Sequence, residues 1–504
     1  MRLHSRTARR LAAAAAMLAV PAGAAEAPLP LRWDVETGEN VRWVADLGSY
    51  SYGGPVVAAG KVLVGTNNTR PRDPIVTGDR GVLMAFRAED GAFLWQATHE
   101  KLEQALDFPL QGVCSTPRVE GDRVYYVSNR GELMALDTEG FLDGENDGPE
   151  TGEPRRSPID ADVVWRLDLR AELGVVPHYM SASTPAILGD LLFVHTSNGI
   201  DEAGLVPAPQ APSFLAVDRW TGAVRWSDAS PGTGLVDGQW SSPTVLEAGG
   251  RRQVLFPGGD GWLYSFAPAS GELLWKLDGG AVAAAGAGSP RPRNAFVATA
   301  LFAEDTVYIP AGRDPEQGSG PGVLWALDPA LGAGADPGER ARWSFGSAAG
   351  REGAGPGAER GSGPAPKTGA FSRAIATVAV ADGIVYAADL DGFVVALEAA
   401  SGRELWRHDM LAPVWASPLV AQGRVYVSDT DGDVTVLAAG PRLEVLAEMT
   451  MDAPIHRAPV AADGVLYLMT AERLYALAGA RAASAPAERR SESGEPAWSR
   501  RAMR

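Results

Sequence analysis

Cysteine is almost absent from this chain, because Cys114 is the only one in 504 residues. No intramolecular disulfide can therefore form. A lone cysteine on an apolar innermost strand is expected to be buried filler rather than a nucleophile. His178 and His456 lack the paired spacing of a zinc motif, and the sequence contains no Gly-x-Ser-x-Gly elbow. Metal-dependent hydrolysis and acyl transfer thus have no support in the sequence.

Basic residues are outnumbered by acidic ones. Lys and Arg total 45 against 62 Asp and Glu, which gives a formal net charge of −17. A phosphate backbone would be repelled on average, so nucleic acid is not expected as a partner.

The only apolar run of note is too short to cross a bilayer, which needs about 20 residues. This run, residues 11–20, follows four arginines and precedes a stretch rich in alanine at 22–27. The pattern is typical of an export signal, and we assign residues 1–27 to a signal peptide. The mature protein is expected to be a periplasmic or secreted monomer without a transmembrane segment.

Glycine and proline are plentiful, with 59 Gly and 37 Pro, and indicate many turns. They occur at the turns of a repeated sequence, and the clearest copy of this repeat is AVDRWTGAVRW, at 216–226. Related copies run over 85–95, 265–275 and 396–406. A repeat of this size is typical of a solenoid or a propeller.

Each repeat predicts four antiparallel strands, which is one propeller blade. Innermost strands, often with Ser or Thr before Pro, recur eight times, near Pro55, Pro117, Pro185, Pro243, Thr299, Thr377, Pro418 and Pro459. We therefore predict an all-β fold, an eight-bladed β-propeller over residues 28–479. The last repeat lacks an outer strand, and the N-terminal strand 37–43 should complete that blade. Residues 480–504 are expected to be a disordered tail.

At its Ala-x-Asp-x-x-Thr-Gly-x-x-x-Trp repeat, the chain resembles the PQQ-like quinoprotein propellers over residues 34–478. That family includes dehydrogenases that hold pyrroloquinoline quinone (PQQ) with calcium, and non-catalytic propellers, among them an outer-membrane assembly subunit. The resemblance implies that tryptophans dock one blade on the next, a structural role we assign to Trp95, Trp165, Trp226, Trp275, Trp343 and Trp406.

One stretch resembles the quinoprotein alcohol dehydrogenases more specifically. By match of position, Asn198 would be a metal ligand and Asp237 the catalytic base, while Arg293 and Asn294 would contact the quinone; Arg293 or Arg373 would polarise its carbonyl. The family's adjacent cysteines are missing here, and neither 111–117 nor 178–185 supplies the expected glutamate. A calcium ion would have few charged ligands without it.

Residues just before each innermost strand should line one mouth of the central channel. Aromatic and basic side chains there suit a planar or anionic ligand, while a merely solvated channel is the alternative. Two functions stay open: a scaffold that binds a ligand or protein without chemistry, and a PQQ- and calcium-dependent dehydrogenase of an alcohol or sugar. The predicted funnel residues are Tyr52, Gln111, His178, Gln239, Trp240, Arg293, Arg373, Trp415 and His456.

Overall fold

The computed structural model describes residues 27–280, 293–315, 320–331, 337–346 and 371–479. The predicted signal peptide, apart from residue 27, and the predicted tail 480–504 lie outside these ranges. Two short helices, α1 (Leu169–Leu173) and α2 (Pro337–Arg340), and two 3₁₀ turns, Gly140–Leu142 and Gly232–Gly234, accompany 32 strands in the described part of the chain.

The strands form eight four-stranded antiparallel sheets, the blades, which follow one another along the chain. Blade 1 holds β2 (Val56–Ala58), β3 (Lys61–Asn67), β4 (Arg80–Arg87) and β5 (Phe93–Glu100). Blade 2 holds β6 (Arg118–Glu120), β7 (Arg123–Val127), β8 (Glu132–Asp137) and β9 (Val163–Asp168). Blade 3 holds β10 (Ala186–Leu188), β11 (Leu191–His195), β12 (Phe214–Asp218) and β13 (Val224–Asp228). Blade 4 holds β14 (Thr244–Ala248), β15 (Arg251–Pro257), β16 (Trp262–Phe266) and β17 (Leu273–Asp278).

The second half of the ring repeats this order. Blade 5 holds β18 (Leu301–Ala303), β19 (Thr306–Ala311), β20 (Val323–Leu327) and β21 (Ala341–Gly346). Blade 6 holds β22 (Ala379–Ala381), β23 (Ile384–Ala388), β24 (Phe393–Glu398) and β25 (Glu404–Asp409). Blade 7 holds β26 (Leu419–Ala421), β27 (Arg424–Ser428), β28 (Asp433–Ala438) and β29 (Val445–Thr450). Blade 8 holds β30 (Val460–Ala462), β31 (Val465–Met469), β32 (Arg473–Leu477) and the N-terminal β1 (Val41–Asp46).

Burial follows the radial position of each strand. The second strand of blade 1, β3, is buried at all seven residues, because both of its faces pack on neighbouring blades. The outer strand β21 alternates between half-buried and exposed residues, with one face toward solvent. The hydrophobic core therefore consists of layers between adjacent blades, and the eight-bladed propeller expected from the repeats is the observed fold.

The tryptophan at the end of an outer strand wedges against the next blade. Trp226 donates its indole N–H to the carbonyl of Pro268 at 2.8 Å. A Cβ on Gly271, whose φ is +71°, would lie 2.7 Å from the same ring, so only glycine allows the approach. The other indoles that donate to a backbone carbonyl of the next blade are those of Trp43, Trp95, Trp165, Trp343 and Trp406.

Trp275 docks in a different way, because the loop of blade 5 that follows β20 lacks the Thr-Gly turn. Its indole donates to Gln253 Oε1 at 2.7 Å, and Gln253 Nε2 donates onward to the carbonyl of Pro329 at 2.8 Å. The guanidinium of Arg340 lies 4.3 Å from the indole centroid, in the place that a turn glycine has elsewhere. Arg340 is itself buried, at 1% exposure.

Blade 7 has no docking tryptophan, since Ala447 stands at the position of Trp406 in blade 6. Trp33, upstream of β1, packs into this interface instead, in one cluster with Ala447 and Ile455. Its indole N–H contacts Met451 Sδ at 3.1 Å. The N-terminal segment thus supplies both the outer strand of blade 8, where β1 pairs antiparallel with β32, and a wedge against blade 7.

Replacement of Trp33 by Ala should lower the free energy of unfolding by about 3–5 kcal/mol, as expected for truncating a buried aromatic side chain. Trp220 is the matched control because it is 51% exposed and should cost less than about 1 kcal/mol when replaced by Ala. Denaturant titration measures both. Equal losses for the two variants would contradict the role of Trp33 as the missing wedge.

Candidate functional site

A belt of hydroxyl groups surrounds the axis just before the innermost strands. Each hydroxyl side chain stands directly before the Pro, Ala or Val that opens a strand, and several link neighbouring blades. Thr184 N–H donates to Ser242 Oγ at 2.9 Å, and Thr377 N–H donates to Ser417 Oγ at 2.9 Å. Gly54 N–H donates to Thr116 Oγ1 at 2.8 Å. The belt residues are Thr116, Thr184, Ser242, Thr299, Thr377 and Ser417, and Gly54 and Ala458 occupy the same position in blades 1 and 8.

A cavity of about 410 Å³ opens above this belt on the axis. All eight blades contribute to its wall, so it is the funnel that the repeat pattern predicts. Tyr52, Gln111, Trp240, Trp415 and His456, all expected there, do line it.

One side of the cavity carries a cluster of aromatic rings from blades 7, 8 and 1, which we call the seam cluster. The Trp415 and His456 rings are 4.9 Å apart, and Tyr52 lies 6.1 Å from Trp415. Burial and the nearby Arg457 cation lower the pKa of His456 to about 4, so this imidazole is neutral at pH 7. The seam cluster therefore presents uncharged π-faces to a ligand.

A second aromatic wall is built from the loops that lead into blades 3 and 4. His178 stacks on Trp240 at 5.7 Å and accepts the indole N–H of Trp240 on its backbone carbonyl at 3.2 Å. Phe108 and Tyr179 extend this wall and line the cavity themselves. Burial lowers the pKa of His178, and its Nδ1 is bonded to the carbonyl of Ile200. His178 thus positions Trp240 rather than offering charge.

Arg457 is the cation of the cavity, and our sequence reasoning missed it. Its guanidinium lies 4.9 Å from the centroid of Tyr52, and its Nε is buried without a hydrogen-bond partner. Among the residues that the structure describes, no carboxylate forms a salt bridge with it. Burial lowers its pKa to about 10, which leaves it protonated at neutral pH.

An alignment of the blades against one another would have found Arg457. The second residue before each strand opening is Gly53, Ser115, Ser183, Ser241, Ala298, Ala376 or Ala416 in the other seven blades, all small. Only blade 8 carries a long charged side chain there.

The other four predicted funnel residues do not line the cavity; they are His178, Gln239, Arg293 and Arg373. Gln239 Nε2 donates to the carbonyl of Asn198 at 2.7 Å, deep in blade 3. Arg293 forms a bidentate pair with Asp278, with N–O distances of 3.0 and 2.7 Å. Arg373 donates to Asn294 Oδ1 at 3.2 Å, and neither residue lines the cavity.

The implied metal ligand Asn198 uses both ends of its amide in the fold. Its Oδ1 accepts the N–H of Val176 at 3.1 Å and its Nδ2 donates to the carbonyl of Ala208 at 2.9 Å. Within the described ranges, no three His, Cys, Asp or Glu side chains converge as metal ligands would. These residues do not fit a calcium–quinone centre at Asn198.

The implied base Asp237 has no exposed surface. Its Oδ1 accepts the N–H of Gly238 at 2.9 Å, and its Oδ2 accepts the N–H of Asp314 at 3.1 Å. Arg313 Nε lies 3.7 Å from Oδ2. Asp237 therefore ties the loop after β19 to the loop before β14, and a role in proton abstraction stays a prediction.

The eight four-stranded sheets, the docking indoles and the axial cavity together define a PQQ-like β-propeller. The model of the family described as "Outer membrane protein assembly factor BamB" matches residues 32–233, 162–353 and 259–443. The chain belongs to this family.

Similar solved structures include BamB from Moraxella catarrhalis, with 15% identity, 87% of this chain and 98% of that chain covered, and a TM-score of 0.52. The computationally designed Ika8 protein has 12% identity, 87% and 99% coverage and a TM-score of 0.51. The quinohemoprotein alcohol dehydrogenase of Comamonas testosteroni has 12% identity, 87% and 76% coverage and a TM-score of 0.45. No curated protein matches the sequence. None of the helices in the described residues has the length and apolarity to cross a membrane.

Replacement of Asp237 by Asn should lower the free energy of unfolding by about 1–3 kcal/mol, because the amide NH₂ that replaces one buried carboxyl oxygen cannot accept a backbone N–H. Asp201→Asn is the matched control, since Asp201 is exposed, caps a turn and should change stability by less than about 0.5 kcal/mol. Denaturant titration of both variants measures the difference. An Asp237→Asn protein as stable as the parent would refute the structural assignment.

Proposed function

We propose that this chain is an exported propeller that binds an organic anion in its axial cavity and performs no chemistry on it. The observation that carries the proposal is the guanidinium of Arg457, which faces a cavity with aromatic walls and has no anionic partner among the described residues.

A buried cation is costly unless an anion pairs with it. The Tyr52 ring of the seam cluster offsets only part of this cost, because a cation–π contact is weaker than a desolvated ion pair. A carboxylate or phosphate of a ligand would supply the missing charge and accept two hydrogen bonds from the guanidinium fork. The rings of Trp240 and Trp415 would pack on the apolar body of the same ligand.

The titratable groups of the cavity favour binding over catalysis. His456 has a pKa of about 4 and is a poor base at neutral pH. Burial raises the pKa of the Cys114 thiol, which keeps it protonated and weakly nucleophilic. Asp314, the one carboxylate of the described lining, comes from blade 5, three blades from Arg457 around the ring.

Fewer observations support export and a protein partner. The family is described as an assembly factor of the outer membrane, which favours a periplasmic location and contact with other proteins. A signal peptide over residues 1–27 and a monomeric state stay predictions.

The alternative, a PQQ- and calcium-dependent dehydrogenase of an alcohol or sugar, has weaker support. The amide of Asn198 and the carboxylate of Asp237 are engaged within the fold, and Cys114 has no adjacent cysteine.

Arg457→Met should weaken binding of 2-naphthoate by about ten- to a hundredfold, because one charge-assisted contact contributes about 1.5–3 kcal/mol. Quenching of tryptophan fluorescence measures the affinity, since Trp240 and Trp415 line the cavity.

Two controls accompany this experiment. Neutral 2-naphthamide should bind the parent protein weakly, and Arg252→Met, at an exposed residue of β15 that does not line the cavity, should bind 2-naphthoate as the parent does. Equal binding of the acid and the amide, or an unchanged affinity in Arg457→Met, would refute the proposal.

Purified protein incubated with PQQ and calcium, then dialysed, should retain no quinone absorbance and should not reduce a dye with simple alcohols or aldoses. Retained quinone with calcium-dependent dye reduction, lost in Asp237→Asn at a temperature where that variant is folded, would favour the dehydrogenase instead.

A further inference from the structure

The loop that joins β8 to β9 in blade 2, residues 138–162, lies apart from the axial cavity and carries an acidic sequence of its own. Carboxylates recur at alternate positions over 143–147, and Gly148 follows them, as in the front half of an EF-hand calcium loop. The twelfth position, where an EF-hand needs glutamate, is Pro154. The fold instead brings two other carboxylates against the loop, those of Glu153 and Asp162.

Asp162 stands directly before β9 and is only 1% exposed. Its Oδ2 accepts the N–H of Asp147 at 2.7 Å. Its Oδ1 is buried and has no hydrogen-bond partner among the described residues. A buried carboxylate oxygen is costly unless a donor or a cation contacts it, so this atom indicates a partner from outside the chain.

A second buried oxygen without a partner belongs to the neighbouring residue Asn146. Its Oδ1 accepts no hydrogen bond from the described residues, while its Nδ2 donates to Glu153 Oε2 at 3.3 Å. Glu153 Oε1 in turn accepts the N–H of Val163, the residue after Asp162, at 3.3 Å. Amide and ionised carboxylate oxygens only accept hydrogen bonds, so they cannot satisfy one another. Their missing partner is a donor or a cation.

Contacts with β9 hold the loop in place around these oxygens. Glu150 donates its N–H to the carbonyl of Val164 at 3.4 Å. Gly148 has a φ of +78°, and a Cβ there would lie 2.6 Å from the same carbonyl oxygen. Only glycine allows this approach. The donor set is therefore positioned by the backbone rather than by a mobile surface loop.

The charges around Asp162 do not balance. Arg123 Nη1 lies 2.6 Å from Asp137 and 3.6 Å from Asp147, and Arg156 lies 3.6 Å from Glu153. Asp162 forms no salt bridge with any described residue. Two guanidinium groups thus face four carboxylates, which leaves two negative charges. The four carboxylates are those of Asp137, Asp147, Glu153 and Asp162.

We propose that a calcium ion binds between this loop and the start of β9, with Asp162 Oδ1, Asn146 Oδ1 and the Glu153 carboxylate as its protein ligands. Calcium takes about six to eight oxygen ligands in flexible geometry, including amide carbonyls and water, whereas zinc prefers nitrogen and sulfur. Its two charges balance the cluster. Two carboxylates and an amide form the set, consistent with the lack of any convergent group of three His, Cys, Asp or Glu side chains among the described residues.

Thermal melts and isothermal titration of protein stripped with EGTA test this site. Calcium at about a hundredfold above its Kd should raise the Tm of the parent by about 2–5 °C. Asp162→Asn should weaken calcium binding by about ten- to a hundredfold. In EGTA the same variant should melt no lower than the parent, because an amide removes one uncompensated charge. Calcium then reverses or reduces that order, which a merely structural role of Asp162 would not do.

Asp143→Asn is the matched control, since Asp143 is an exposed carboxylate of the same loop and should leave the calcium affinity unchanged. Binding should also persist in Arg457→Met and Asp237→Asn, so this site is tested independently of the axial cavity. If the two buried oxygens share a water molecule instead, calcium will give neither heat nor a shift in Tm, and the proposal fails. Calcium affinity that survives in Asp162→Asn, or is lost in Asp143→Asn, would overturn the assignment of the ligands.

Discussion

A ring of sheets is stable only when each sheet packs on two neighbours. In this chain the ring is closed by pairing strands from opposite ends of the chain rather than strands joined by a hairpin turn. Blade 8 takes its outer strand from β1, at the other end of the chain. The same N-terminal segment inserts Trp33 where blade 7 has Ala447 instead of an indole. The axial cavity requires this closure, because an open ring would expose the apolar faces of two blades.

The seam between blades 8 and 1 is also where the axial wall departs from its repeat. The hydroxyl belt is interrupted there by Ala458 and Gly54. A Cβ on Gly53 would lie 2.8 Å from the carbonyl oxygen of Ser115, so the small residue is required by packing. The Arg457 side chain reaches from blade 8 to the Tyr52 ring of blade 1, across the one junction that is not formed by consecutive repeats. The cation of the cavity and the closure of the ring share a location.

The parts of the structure that repeat could be predicted from the sequence. The number of blades, the docking role of Trp226 and its counterparts, and the closure by the N-terminal strand all follow from periodic residues, because one physical rule acts eight times. The exceptions could not be predicted in this way. Arg340 lies over the Trp275 ring while Gln253 bridges from Trp275 to Pro329, and this arrangement is visible only in three dimensions.

The candidate site shows the same limit more sharply. The positions of the funnel followed from the strand order, so Tyr52, Trp240, Trp415 and His456 were placed correctly on the cavity wall. Whether a polar side chain in such a loop faces the cavity depends on its other partners: Arg293 is held by Asp278, and Gln239 by a backbone carbonyl. The residue that remains without such a partner, Arg457, is the one that interrupts a column of glycine, serine and alanine. In a repeat protein, packing explains a residue type that all blades share at a buried position. It does not explain a charged residue that only one blade has there, and binding of a ligand is then the simplest physical reason for the charge.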